Sequence, residues 1–317
     1  MTVGLPDFAD IDAFDDWRGQ ANDWLPAALD IAGAAGLPVA DVTVFGTGTN
    51  LVIGLGPTLI LKIFPPLLRR QFLAERASLG QLANRLPLPV PELVAEGERD
   101  GWPWLAMTRL DGALGADVWP GLTETAKERI LAEIGATIAA VQAVPPGPIA
   151  ALGPDWPAFI SGQIAHCRAR QIRLGLPARY LEELDELLAA AATAVPRDID
   201  PVILTGEYIP ENFLLAEGGD GWHLAGLFDF GDVFAGLGEY DLLGPSAFMT
   251  EGRPGRVRAL FAGYGYGPDR IDDALIRRLL ILTFLHRASD PVGKIAIADW
   301  PTKAKTLEQL GRMMWPR

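Results

Sequence analysis

The stretch from Leu204 to Asp241 constrains this chain most. It reads Leu-Thr-Gly-Glu-Tyr-Ile-Pro-Glu-Asn-Phe-Leu-Leu, then a Gly/Asp turn, then Leu-Phe-Asp-Phe-Gly-Asp and, further on, Gly-Glu-Tyr-Asp-Leu. The apolar run Val202-Ile203-Leu204 reads as a strand that stops at Thr205-Gly206. Phe213–Ala216 and His223–Phe228 are apolar runs on either side of Gly218-Gly219-Asp220-Gly221, a hairpin signal. The loops at the open end of that hairpin carry Glu207, Asn212 and Asp229. Two carboxylates and an amide facing one space suit magnesium and a phosphoryl group, because all three offer hard oxygens. The structural alternative is that Asn212 caps its own turn and Asp229 starts one.

At 317 residues the chain has room for two lobes. A hydrophobic share of 49% with 21% charged residues is ordinary for a soluble globular protein. The longest apolar runs, around 187–195 and 279–285, are too short to cross a bilayer, so no membrane partner is expected. The acidic start, with Asp7, Asp10, Asp12, Asp15 and Asp16, lacks the basic-then-apolar pattern of a secretory signal. A single cysteine, Cys167, excludes an intrachain disulfide and a cysteine-based zinc site, and fits a cytoplasmic location. The formal charge of −13 argues against nucleic acid as a partner. It suits a cationic small molecule, or serves solubility alone. The three histidines, His166, His223 and His286, show no metal-ligand spacing and read as structural.

In chain order, residues 11–36 read as one helix that stops at Gly36-Leu37-Pro38. Three antiparallel strands follow, joined by the Gly46-Thr47-Gly48-Thr49-Asn50 loop and the Gly56-Pro57 turn, and ending at Pro65-Pro66. A helix over 67–84 and two further strands, 92–96 and 102–107, complete a five-stranded antiparallel unit with one main helix. From Gly112 the pattern turns helical: 122–144, 155–175 and 177–195 read as helices. In the tail, 276–287 is an apolar helix and Gly263-Tyr-Gly-Tyr-Gly267 a loop. The expectation is an α+β chain with a sheet lobe over 1–108, led by the helix 11–36, and a larger, mostly helical lobe over 109–317.

The Gly46–Asn50 loop joins strand to strand, so it is neither a Rossmann fingerprint nor a Walker A loop. Thr47, Gly48 and Thr49 could fold over phosphates with backbone N–H groups and hydroxyls, or form a plain hairpin. Lys62 stands on an apolar strand and either points to solvent or reaches nucleotide phosphates. Glu75, on the following helix, either pairs with Lys62 or is a solvated helix charge.

Taken together, these residues resemble the aminoglycoside phosphotransferase family of the bilobal protein-kinase-like fold. The pattern His-Gly-Asp-x-x-x-x-Asn, Ile-Asp-Phe/Trp and Asp-x-x-Tyr-Asp-Leu is matched by Thr205-Gly206-Glu207 through Asn212, Phe228-Asp229-Phe230-Gly231-Asp232, and Glu239-Tyr240-Asp241-Leu242. The resemblance extends over residues 40–290. Within the family it is greatest to hygromycin B kinases, through Gly48-Thr49-Asn50, Gly101-Trp-Pro-Trp104, Phe228–Gly236 and Leu282-Thr-Phe-Leu-His286.

The resemblance implies phosphoryl transfer from ATP (or GTP), with Mg2+, to a hydroxyl of a small, cationic, aminoglycoside-like acceptor. Lys62 would contact the phosphates, held by Glu75, and the backbone at Thr108 and Leu110 would meet the purine. Asn212 and Asp229 would bind the metal, Glu207 would take the hydroxyl proton, and Asp241 would buttress the loop. Two positions depart from the pattern: Thr205 replaces histidine and Glu207 replaces aspartate. The extra methylene displaces the carboxylate by roughly 1–1.5 Å, while Glu and Asp differ by only about 0.4 in pKa. The departure therefore bears on geometry, not basicity. It also motivates a rival reading as a nucleotide-binding pseudokinase or sensor. A kinase for another metabolite (amino alcohol, sugar or macrolide) would keep every site residue, and the sequence does not set the oligomeric state.

Overall fold

The computed structural model describes residues 4–316. The chain divides into two compact units: one holds the described residues up to Arg85, Pro89–Asp111 and the short segment Leu227–Val233, and the other holds the remainder.

The first unit opens with α1 (Ile11–Arg18) and α2 (Ala21–Ala34). These replace the single helix expected over 11–36. The break has a local cause. The Trp24 indole N–H donates to the Arg18 carbonyl at 2.8 Å, taking an acceptor that a continuous helix would spend on its own ladder. Next come β1 (Val42–Phe45), β2 (Leu51–Leu55), β3 (Leu59–Ile63), α3 (Arg69–Leu82), β4 (Leu93–Arg99) and β5 (Trp102–Thr108). The strands form one antiparallel sheet in the order β1-β2-β3-β5-β4. The β4–β5 turn is made by Asp100 (φ 52°) and Gly101 (φ 80°), the two left-handed residues of a tight hairpin.

One face of the sheet packs with α1 and α2, through Phe14, Trp24, Ile31, Leu51, Ile53, Leu61, Ile63 and Trp102. Strand periodicity then decides where Lys62 goes. With Leu61 and Ile63 committed to that core, Lys62 must face the other side of the sheet, where Glu75 of α3 meets it.

The second unit contains β6 (Ala113–Leu114), α4 (Gly115–Val118), α5 (Glu124–Ala143), α6 (Trp156–Arg173), α7 (Leu181–Ala194), β7 (Val202–Leu204), β8 (Phe213–Gly218), β9 (Gly221–Leu227) except its last residue, and β10 (Phe234–Gly236). After these come α8 (Leu243–Phe248), α9 (Pro254–Tyr264), α10 (Asp273–Leu285), α11 (Pro291–Lys294), α12 (Trp300–Lys303) and α13 (Leu307–Met314). The expected hairpin is β8–β9, with β6 added at the edge of β8. Residues 113–114 are thus a short strand where helix was expected to begin. A second small ladder pairs β10 with β7, Phe234 opposite Leu204.

The glycine-rich Gly263–Gly267 stretch also differs from the expected loop, because α9 runs through Tyr264 and ends at left-handed Gly265 (φ 96°). Gly263 serves packing instead. A Cβ there would overlap the Ala132 carbonyl of α5, and a Cβ on Gly135 of α5 would overlap the Leu260 carbonyl of α9. The pair lets two helix backbones approach closely. Among the described residues, no helix is long and apolar enough to cross a membrane.

Candidate functional site

In the first unit, Lys62, Glu75 and Asp229 form one ionic cluster. The Lys62 ammonium donates to Glu75 Oε2 at 2.6 Å and to Asp229 Oδ1 at 2.8 Å. Lys62 is 7% exposed and Glu75 2%, whereas the Asp229 side chain is 38% exposed. Burial alone would lower the lysine pKa, but the carboxylates of Asp229 and Glu75 more than offset it and hold the group above its ordinary range. Burial raises the Glu75 carboxyl, against the pull of Lys62 and of the Phe230 backbone N–H. The solvated-charge reading of Glu75 is thereby excluded. Asp229 itself lies in the left-handed region, at φ 67°.

Beside this cluster, a polar ladder runs from the glycine-rich loop. Buried Asn50 donates from Nδ2 to Gln71 Oε1 at 3.0 Å, and Gln71 Nε2 donates to Asp232 Oδ1 at 3.5 Å. Thr47, Gly48 and Thr49 are exposed at the loop tip, with Gly48 at φ 90°. Thr108 exchanges its N–H and hydroxyl with the backbone of Glu92, both at 2.9 Å, and Arg109 donates its N–H to Thr58 at 2.7 Å. Leu110, half-buried, follows directly. The roles of Asn50, Gln71 and Asp232 as one ladder are not legible in sequence, because amides on separate elements carry no spacing signal.

In the second unit, the loop after β7 carries Glu207 and Asn212 together. Buried Asn212 donates from Nδ2 to the Glu207 carbonyl at 3.1 Å and to Glu207 Oε2 at 3.4 Å. Asp241 accepts the N–H groups of Thr205 (3.1 Å, Oδ2) and Gly206 (2.8 Å, Oδ1). Burial pushes the Asp241 carboxyl up to about 7, although those two N–H groups work against the rise. Gly206 is left-handed at φ 72°, which turns the chain between the strand and Glu207.

Three further residues hold this loop. His286 Nε2 lies 3.2 Å from the Gly206 carbonyl, and its Nδ1 accepts the Ala288 N–H at 3.2 Å, which fixes the Nε2–H tautomer. The ring stacks on Tyr240 at 4.7 Å, and the Tyr240 hydroxyl accepts the Arg287 N–H at 3.0 Å. The Arg287 guanidinium pairs with Glu207, Nη2 to Oε1 at 2.7 Å. A basic residue just past an apolar helix reads as an ordinary helix-end cation, so only the fold reveals what Arg287 touches. Among the described residues, no group of three or more His, Cys, Asp or Glu is arranged to hold a metal.

A lysine tied to a helix glutamate, an Asp-Phe-Gly loop and a carboxylate–amide loop buttressed by an aspartate agree with one family comparison. The model of the phosphotransferase enzyme family APH matches residues 46–273. The chain belongs to this family.

Solved structures of the same fold include the GDP and kanamycin complex of APH(2")-IIia, at 20% identity and a TM-score of 0.66, covering 82% of this chain and 89% of that one. ADP-bound aminoglycoside phosphotransferase APH(2'')-Ib gives 13% identity and 0.58, with coverage of 91% and 99%. Macrolide 2'-phosphotransferase MphH from Brachybacterium faecium gives 20% and 0.59, with coverage of 83% and 90%. No curated protein sequence matches significantly. The five-stranded antiparallel sheet and the helical remainder are the protein-kinase-like fold of these APH phosphotransferases.

Proposed function

We propose that this APH member is a magnesium-dependent O-phosphotransferase that moves the γ-phosphoryl of ATP or GTP to a hydroxyl of a small, cationic, aminoglycoside-like acceptor. The observation that carries the proposal is Lys62, buried, charged and bonded at once to Glu75 and Asp229. An ion pair so costly to desolvate is a poor device for stability alone. It is a good one for presenting a fixed cation to nucleotide phosphates. In this reading the first unit binds nucleotide, with Thr47, Gly48 and Thr49 over the phosphates. The Thr108 carbonyl and Leu110 N–H would face the purine edge. The second unit carries Glu207 and the acceptor site, with the boundary near residues 108–112.

Asp229 and Asn212 are the proposed magnesium ligands, and their chemistry fits. Asn212 spends its amide nitrogen on Glu207, which leaves its side-chain oxygen as the ligating atom. Magnesium commonly takes only one or two protein oxygens beside phosphate and water. When bound, the ion would supply charge neutralisation on the phosphates. The acceptor oxygen bonds to the γ-phosphorus as the bond to the nucleotide diphosphate breaks, and the hydroxyl proton passes to Glu207. A cytoplasmic location suits a nucleotide-dependent enzyme.

Family membership and the charge of −13 support a cationic acceptor. The hygromycin B-kinase cues in the sequence favour that drug as the first to try. The deciding experiment measures ADP or GDP formation from the magnesium nucleotide with hygromycin B, kanamycin, choline and a macrolide. Turnover with an acceptor, lost on Glu207→Gln and on Asp229→Asn, is the expected result. Full activity in both variants would sink the assigned roles, and silence with clear nucleotide binding would favour the sensor reading.

A further inference from the structure

We infer that Arg287 is the positioning residue for the Glu207 carboxylate, an inference that rests on the proposed phosphotransferase reading and names a residue outside its motifs. Glu207 is held at both oxygens: Oε1 by the Arg287 guanidinium at 2.7 Å and Oε2 by the Asn212 amide at 3.4 Å. An ion pair on one oxygen and a hydrogen bond on the other restrict where the carboxylate can go.

Arg287 is itself anchored by other elements of its unit. Its N–H goes to Tyr240, which packs edge-on against Trp156, Phe159 and Phe234 and is stacked on His286. Arg170 of α6 donates to the carbonyls of Phe284 (2.9 Å) and Arg287 (3.5 Å), closing the end of α10. His286, one residue before, bonds the Gly206 carbonyl, one residue before Glu207. The strap that follows α10 therefore grips the Thr205–Glu207 loop by backbone and by side chain.

This arrangement answers the geometric problem set by glutamate at 207. Its extra methylene adds a rotatable bond, and an unanchored carboxylate would wander among rotamers. The ion pair removes that freedom. Phosphoryl transfer makes little demand on base strength and much on position, so pairing the carboxylate with a cation costs the reaction little. The length is then matched to the partner. Aspartate at 207, although usual in the family resemblance, would fall short of Arg287 by roughly 1–1.5 Å.

The test uses the full chain and ADP formation from Mg-ATP, with hygromycin B, kanamycin or water as the acceptor. Arg287→Ala is expected to lower kcat on the order of 10- to 100-fold, with KM for ATP within about 2-fold. Guanidinium ion should restore part of that rate, which a folding defect would not allow. Arg287→Lys should fall between the two. Glu207→Asp should lose activity instead of gaining it. A wild-type chain that turns over while Arg287→Ala matches it, or Glu207→Asp that is faster, overturns the inference alone. An unrescued loss with KM rising in step does the same. A wild type silent with every acceptor overturns the phosphotransferase reading and this inference with it.

Discussion

Burial holds the His286 imidazole down to about 3, helped by the nearby cations Arg287, Arg170 and Lys294 and opposed by its bond to the Gly206 carbonyl. Its folded value lies below the unfolded one, so the unfolded chain binds the extra proton between about 6.5 and 3. Stability from this residue is complete above about pH 6.5 and is lost as pH falls through that window. Asp241 runs the other way. Its raised carboxyl contributes stability that is complete below its unfolded value and is lost as pH rises through about 7. The two slopes oppose each other in one range, so the informative quantity is a difference. Between pH 7 and pH 5, wild type should lose more melting temperature than His286→Gln does. Equal losses would show that the imidazole does not titrate with folding.

The crossing of α5 with α9 makes an element-scale prediction. Gly135 and Gly263 stand where a methyl group would meet backbone carbonyls, which cannot rotate away as a side chain can. Gly135→Ala should cost about 1–3 kcal/mol despite alanine's better helix propensity. Urea denaturation measures this, and a neutral or stabilising result would mean that the helices separate freely. The same pair explains one misreading of the sequence. Glycines spaced through Gly263–Gly267 signal a loop when turn chemistry is the only cause considered, whereas the first of them is there for interhelical contact. Likewise the bend after Arg18 depends on an indole six residues on, which helical periodicity does not register. The sheet was legible throughout, because alternating apolar runs bounded by Gly and Pro turns are a local signal.

On the scale of the whole chain, anything that binds the folded state alone raises its stability by mass action. Saturating Mg-ATP at about 100 times its Kd should add about 2.7 kcal/mol, read as a rise in melting temperature. Lys62→Ala should reduce that rise sharply when each form is compared with and without nucleotide. An undiminished rise would remove Lys62 from the nucleotide site. Lys62, Glu75, Asn212 and Asp229 are candidates in sequence through their order along the chain, and Asn212 and Asp229 also through the spacing of their loops. Arg287 and the Asn50–Gln71–Asp232 ladder are not, since their partners lie 80, 21 and 161 positions away.

The backbone of Asp229 narrows what this position can hold. At φ 67°, glycine, asparagine and aspartate are accommodated most cheaply. Of these, only aspartate carries the negative charge that meets Lys62. Shape therefore favours three residues, and charge favours one of the three. A substitution at position 229 therefore costs backbone strain, the charge that meets Lys62, or both.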